Sequence, residues 1–404
     1  SKGFTHVGFS TYDYPTCLLY LRKVVGALSK KITVILGGHG PTYTPHRIHR
    51  SIKPDWMIRG EGEKAFLELV LQRFDPKAIS KSYVTRNING SYIVDSTPMP
   101  LDDVPFARPY SLAFYNYEAS PLLQKGCAGK CVFCSGAYKK TIEYKSPKKA
   151  LELLEYLVYE KKAAVIMPAG PDFTASAKEA NEIVRAMVAA SLPLREFRPE
   201  VCLHTLHFCV SRDPNAWRKL GSVTCLRFES SIDSFLHQRL ERLGKNVPKE
   251  FLTDIFHHII KIIEICDCTI MLSRIALDPF ITIDEFIAEN SLYMRLLEKF
   301  PNRVTIGGNL MNKFRPVWGT PSMAAGKRNN PWAQPDVLLD PIMAELKQTF
   351  LERPEFKKWC RMAEELTDYN ERNLVFREIL RVTGEYAESL MKQGRSTAIA
   401  DQMH

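Results

Sequence analysis

Short apolar runs and stretches of helical periodicity alternate along the first hundred residues. Val7-Gly8-Phe9-Ser10 reads as the end of a strand, apolar positions over 18–28 recur at helical spacing, and 32–36 is a continuous apolar run that stops at Gly37-Gly38. Trp56-Met57-Ile58 is a further short strand, followed by Gly60-Glu61-Gly62-Glu63 and a helical pattern over 64–73. Strands that alternate with helices pair in parallel through right-handed crossovers, so residues 1–95 read as a doubly wound, Rossmann-like α/β layer. Ligands of such sheets lie beyond the carboxyl ends of the strands, where Ser10, Thr11, Gly37, Gly38, Gly60 and Gly62 fall. Gly-Gly after a strand is also an ordinary turn, and the two readings stand side by side.

Proline and aspartate then gather at Pro98, Pro100, Asp102, Asp103, Pro105 and Pro109, so 96–118 reads as a linker. A second alternating series occupies 119–321. Strand patterns at 120–124, 164–167, 223–228, 270–275 and 304–310 interleave with helical ones at 147–162, 176–190, 235–243, 249–266 and 283–299. About six βα units suit a partial (β/α)6 barrel, with its site at the carboxyl ends of the strands. Residues 322–404 form a helical C-terminal domain whose last residues fray, and no repeat of fixed period occurs.

With 45% hydrophobic and 25% charged residues among 404, the chain is globular; disordered, collagen-like and disulfide-stapled classes are excluded. The net charge of +10 favours an anionic cofactor or an acidic partner. Lys139-Lys140, Lys148-Lys149 and Lys161-Lys162 lack interleaved aromatics and read as solvated faces, so nucleic acid is not expected. The greasiest stretch, 255–272, is broken by His257, His258, Lys261, Glu264 and Asp267, so no membrane span is expected. Ser1-Lys2-Gly3-Phe4 carries neither a leader pattern nor an initiator Met, as in a processed or trimmed start. Ten cysteines without a secretion signal point to a reducing, cytoplasmic setting.

Cys127-Ala128-Gly129-Lys130-Cys131-Val132-Phe133-Cys134 is the sharpest chemical signal: C-x-x-x-C-x-x-C directly after the first barrel strand. Three thiolates on a Gly-containing loop can hold three irons of a 4Fe-4S cluster and leave the fourth open. Zinc is the alternative, although a closed tetrahedral site needs a fourth ligand and no Cys or His follows at finger spacing. His204, His207 and Cys209 resemble a metal triplet but lie in an apolar run that reads as strand, with His207 and Cys209 on one face and His204 on the other. Cys266-Asp267-Cys268 reads as a helix entering a strand, and His257-His258 as a half-buried helical pair.

The cysteine spacing, with an aromatic before the last Cys and a βα barrel behind it, resembles the radical S-adenosylmethionine (SAM) superfamily. Further segments extend the resemblance: 169–173 after the second barrel strand, 227–231, 277–280, and Val317-Trp318-Gly319-Thr320-Pro321. It implies that Cys127, Cys131 and Cys134 hold the cluster and that Phe133, Gly170, Pro171, Asp172, Glu229, Ser231 and Arg274 meet SAM. Asp172 stands where the family usually has Glu. The N-terminal layer is similar to the cobalamin-binding domain of one large subfamily, in a shortened form without its first strand and helix. That similarity implies a corrin site built from Ser10, Thr11, Tyr12, Gly37, Gly38, His39, Gly40, Gly60, Glu61 and Gly62, with Tyr14 a further candidate. No D-x-H-x-x-G occurs, so His39 reads as a packing or hydrogen-bonding residue and the cobalt as lacking protein imidazole.

The activity implied is methylation of an unactivated carbon by way of a 5′-deoxyadenosyl radical and methylcobalamin. Its substrate would be a peptide or protein residue, methyl-coenzyme M reductase among the candidates, or a natural-product intermediate. Ferredoxin or flavodoxin would supply electrons. A non-methylating rearrangement, cyclisation or oxidation is the alternative chemistry, and a zinc- or cobalamin-binding regulatory module the alternative class.

Overall fold

A computed structural model describes residues 4–12, 15–28, 30–79, 83–105, 117–134, 141–307, 338–366 and 369–402. They fall into two compact units, the first up to Pro105 and the second from residue 117 onward.

The first unit runs β1 (His6–Ser10), α1 (Pro15–Gly26), β2 (Thr33–Gly37), α2 (His39–Tyr43), α3 (Pro45–Ile52), β3 (Trp56–Arg59), α4 (Glu63–Leu71), β4 (Val84–Ile88) and β5 (Ser91–Asp95). Its sheet order is β1-β2-β3-β5-β4, with every pair parallel except β4 with β5. The apolar run of β2 is buried on both faces. Val34 and Leu36 pack with Leu18, Leu21, Ile48 and Ile52 of α1 and α3, while Ile35 packs with Ala65 and Leu69 of α4. Burial on both sides is what a continuous apolar strand requires. The antiparallel β4–β5 hairpin departs from the all-parallel expectation. Asn89 (φ 47°) and Gly90 (φ 96°) make its two-residue turn, both in the left-handed region that such a hairpin demands.

The second unit begins with β6 (Glu118–Ala119), β7 (Gln124–Lys125) and β8 (Glu143–Tyr144), then α5 (Pro147–Glu155), which continues as a π-helical turn to Glu160. Next come β9 (Val165–Ile166), α6 (Ala177–Ala190), β10 (Glu196–Phe197), β11 (Glu200–Val201), α7 (Leu203–Arg212), α8 (Pro214–Val223) and β12 (Cys225–Asp233). There follow α9 (His237–Arg242), α10 (Lys249–Thr253), α11 (Ile255–Cys266), β13 (Thr269–Arg274), α12 (Ile283–Lys299) and β14 (Val304–Ile306). Helices α13 (Pro341–Leu346), α14 (Pro354–Glu365) and α15 (Tyr369–Gln402) close the series.

The strands line up in chain order as β6, β9, β10 with β11, β12, β13 and β14, and every pair is parallel. That order is the signature of consecutive βα units. Leu122 adds a parallel bridge to Ala169, which leaves β7 and β8 to pair separately as an antiparallel hairpin. On β12, Leu226 and Phe228 turn to the helices and Arg227, Glu229 and Ser231 to the opposite face, the period-two alternation of a strand.

Helices expected as a separate C-terminal domain belong to this same core. Phe376, Ile379 and Leu380 are fully buried, Asn373 donates to the carbonyls of Pro301 (2.7 Å) and Val304 (2.8 Å), and Asn290 donates to Thr383 Oγ1 (3.2 Å). Helix α15 runs on through Gln402 where fraying was expected. Among the described residues no helix is long and apolar enough to cross a membrane.

The His204–Cys209 segment is helix, not strand. Leu203, Leu206 and Val210 are buried at i, i+3 and i+7, the spacing of one helical stripe, and Cys209 turns inward with them to meet Asn181. His207 lies 4.2 Å from His258 between ring centroids, and Phe251 stacks on His258. Burial, then Lys245, lowers His204 to about 4; burial, then His258, Lys261 and His257, lowers His207 to about 4. Unfolded histidines bind protons near 6.5, so these two stabilise the fold above that value and the contribution is lost as pH falls from 6.5 through 4. The double substitution His204→Gln, His207→Gln should flatten urea-unfolding midpoints across that window; an unchanged slope would refute the assignment.

Candidate functional site

The three cysteines ride on the loop that joins β7 to β8, at the carboxyl end of the parallel sheet. Gly126 opens the loop at φ +82°, and a Cβ there would fall 1.9 Å from the Thr141 carbonyl oxygen, so only glycine lets the two arms approach. Lys125 and Glu143 clamp the base of the hairpin at 3.2 Å. A Cβ on Gly129 would lie 3.3 Å from Cys127 Sγ and 3.5 Å from Cys131 Sγ, which puts both sulfurs around one small space. The Gly129 amide donates to Cys127 Sγ at 3.2 Å, and the Cys134 amide to the Cys131 carbonyl at 3.2 Å. None of the three cysteines is joined in a disulfide.

A second segment, just past α9, holds the loop from outside. Val132 donates to the Leu243 carbonyl at 2.9 Å, and Val132 and Phe133 pack on Leu243 and Ile275. Phe133, expected at SAM, is thus also a packing residue of the loop. Burial raises the Cys127 thiol, and raises Cys131 to about 12 while Lys245 opposes the rise. Cys202, at the start of α7, is raised by burial and by Asp172, and its field couples to Lys245, Cys127 and Cys131. Among the described residues no three His, Cys, Asp or Glu side chains converge as ligands of a single metal ion. Soft sulfurs spaced around a small gap, with an amide N–H already directed at one of them, fit the donor set of a larger iron–sulfur cluster.

The turn after β9 stands beside this loop. Gly170, at φ +149°, packs so closely on β7 that a Cβ would meet Gln124 Oε1 at 2.4 Å. Pro171 is exposed. Asp172 is only 3% exposed, and its oxygens accept from the Thr174 amide and hydroxyl, the Cys202 amide and the Thr205 hydroxyl at 3.0–3.1 Å. Burial raises its carboxyl despite those donors. The carboxylate expected at an amino group therefore pins the start of α7 to the loop after β9.

On the face of β12 opposite Leu226 and Phe228, Glu229 and Ser231 share a row with Arg227. Arg198 ties that row to Glu196 at 2.5 Å and reaches Glu118 at 3.7 Å. Glu200 lies in register with Glu229, and burial raises both carboxyls. Arg274 does not join them, which corrects the expectation placed on it. Alternation along β13 sends it with Ile270 and Leu272 into the helix layer, where both terminal nitrogens donate to Asn290 Oδ1 at 3.1 Å and its guanidinium covers the Tyr293 ring. Ser273 occupies the open face instead, opposite Ser231. Period-two counting from Ile270 would have found it.

In the first unit the residues expected at a corrin do gather at the ends of β1, β2 and β3. Thr11 donates to the Gly37 carbonyl (3.0 Å) and accepts from the Gly40 amide (2.8 Å), and the Gly60 amide donates to Thr42 Oγ1 (3.0 Å). Protein atoms fill the space at two glycines: a Cβ would meet Ser10 Oγ at 2.5 Å on Gly38 and Ile48 Cδ1 at 2.8 Å on Gly40. Gly37 alone of this group faces open space, beside the half-exposed Tyr12. His39 packs between Tyr12 (5.4 Å) and Tyr43 (4.6 Å), the packing role read from its place in the chain. Glu61 and Gly62 lead from β3 into α4. Tyr14, Lys139-Lys140 and 317–321 lie outside the described residues.

No family model matches the chain. No curated protein matches it either. Among solved structures it is similar to the radical S-adenosylmethionine methyltransferase TsrM from Kitasatospora setae with cobalamin and a 4Fe-4S cluster bound. The two are 16% identical over 79% of this chain and 66% of that one, with a TM-score of 0.61. TsrM with tryptophan substrate and the SAM analogue aza-SAM gives 16% identity over 72% and 60%, with a TM-score of 0.57. The cobalamin-dependent S-adenosylmethionine radical enzyme OxsB with aqua-cobalamin bound gives 12% identity over 94% and 63%, with a TM-score of 0.65. At these identities the likeness is one of fold, and the chain spans just under two thirds of the length of those structures.

Proposed function

We propose that this chain is a cobalamin-dependent radical SAM enzyme that methylates an unactivated carbon. The observation that carries the reading is the loop of Cys127, Cys131 and Cys134, three cysteines outside any disulfide at the carboxyl end of a six-position parallel ladder in chain order. A parallel ladder in chain order supports the reading as a partial βα barrel. The folds of TsrM and OxsB add weight, and TsrM is itself a methyltransferase.

When bound, a cluster with one iron free of protein sulfur would supply the electron that opens SAM, and cobalamin would supply the methyl group. The chain's own part is to bind and orient. Cys127, Cys131 and Cys134 would hold the cluster, with the Gly129 amide directed at Cys127 and Phe133 packed behind. Gly170 brings backbone close to the loop, and Glu229, Ser231 and Ser273 offer polar groups on the open sheet face. Thr11, Tyr12 and Gly37 would face the corrin from the first unit. A peptide, protein or natural-product substrate and a flavodoxin or ferredoxin donor complete the proposal.

Anaerobic reconstitution with iron and sulfide is expected to give about four irons per chain and a broad brown absorption. Added hydroxocobalamin should remain with the protein through gel filtration, and SAM should turn over. A mass increase of one methyl on product is the decisive readout. Deoxyadenosine without a methylated product would move the assignment to rearrangement, cyclisation or oxidation, and one tightly held zinc with no iron would overturn the enzyme reading.

A further inference from the structure

We infer that Lys245, backed by Asp233, is the fixed counter-charge of the cysteine loop, a positioning residue that sets how readily the bound cluster accepts an electron. This rests on the cluster reading above.

Asp233 ends β12 where the register with β13 slips between Ser231 and Asp233, and its φ of 65° lies in the left-handed region disfavoured for a residue with a side chain. The Ile275 amide holds its carbonyl at 3.0 Å. Asp233 is one half of an ion pair: Lys245 Nζ sits 2.5 Å from Asp233 Oδ2, with each side chain 8% exposed.

Lys245 also belongs to the segment that grips the cysteine loop. Leu243 accepts from the Val132 amide, and Gly244, at φ +69°, packs so tightly that a Cβ would stand 2.5 Å from the Lys130 carbonyl oxygen. The backbone leading to Lys245 therefore touches the residues on both sides of Cys131. A buried ion pair seldom stabilises a fold more than an apolar pair of the same shape. Its place in the segment that grips the cysteine loop on both sides of Cys131 gives it a different use.

The physical effect has a definite sign. Three thiolates gathered on one loop repel, and one electron from a reductant adds one negative charge to the cluster they hold. A fixed cation in a poorly screened interior stabilises the more negative state more, so it raises the midpoint potential.

The test is an EPR-monitored redox titration of the reconstituted full-length chain with dithionite, alongside iron counts, for parent, Lys245→Met, Lys245→Arg and Asp233→Asn. Lys245→Met should keep its iron and shift the midpoint to more negative potential, whereas Lys245→Arg stays near the parent. Asp233→Asn, which leaves the cation without its partner, should shift the opposite way. Selective loss of iron in Lys245→Met, with Lys245→Arg loaded, would also support the counter-charge. A parent-like midpoint in fully loaded Lys245→Met, shifts of one sign in Lys245→Met and Asp233→Asn, or equal loss of iron in Lys245→Met and Lys245→Arg would overturn it. If the parent itself takes up no iron, the cluster reading falls, and this inference falls with it.

Discussion

Serine at Cys127, Cys131 or Cys134 should strip the protein of bound iron while leaving the metal-free fold in place. The loop is anchored by Gly126, by Val132 on Leu243 and by Lys125 on Glu143, none of which uses a cysteine sulfur, so an isosteric hydroxyl costs it little. A cluster held by three thiolates has no spare ligand. Removing even an outer partner of a metal ligand typically costs 10–100-fold in affinity, so loss of a ligand should lower bound iron by more than roughly tenfold. Iron analysis after anaerobic gel filtration measures this, with the thermal midpoint of the metal-free protein as the control. Full iron in all three variants would place the cluster elsewhere.

Arg239→Met should have the largest effect on stability. The guanidinium is wholly buried, donates to Asp278 Oδ2 at 2.5 Å and to the Ile275 carbonyl at 2.8 Å, and also pairs with Glu289. Burial opposes its charge, but Glu289 and Asp278 together raise its pKa above the ordinary arginine value. Methionine would leave two buried carboxylates without their cation, which typically costs about 3–5 kcal/mol. Because α9 leads directly into Leu243–Lys245, slackening there should also loosen the cysteine loop. Urea unfolding of the metal-free protein tests the first consequence and iron uptake the second. A loss below about 1 kcal/mol would show that the carboxylates find other partners.

Much of this arrangement is legible in local pattern. Ile283–Lys299 is a helix over the bounds its periodicity sets, because Thr282 and Glu285 form a reciprocal capping box at its start. The cysteine loop announces itself by spacing alone. Errors arise where two periods compete: Leu203, Leu206 and Val210 fit a helix, yet the apolar residues around them also alternate, and the strand reading of His204–Cys209 followed. The hairpin of β4 and β5 was available from Asn89-Gly90. Arg274 was misplaced because a charged residue near a site invites a functional role even when it shares a face with Ile270 and Leu272. Lys245 and Asp233 carry no local signature, since their place beside the cysteine loop comes through Lys130 and Val132, more than a hundred positions earlier.

The burial of α15 against α12 and β14 bears on how the chain is made. The apolar clusters of the first unit draw, among the described residues, on positions 7–94, which are all made early in synthesis. The larger unit must wait for Phe376, Ile379 and Leu380, synthesised long after Cys134, before its interior is sealed. Its thiols are therefore translated well ahead of the helices that close the interior around them, and a cluster of the kind proposed would be loaded after translation.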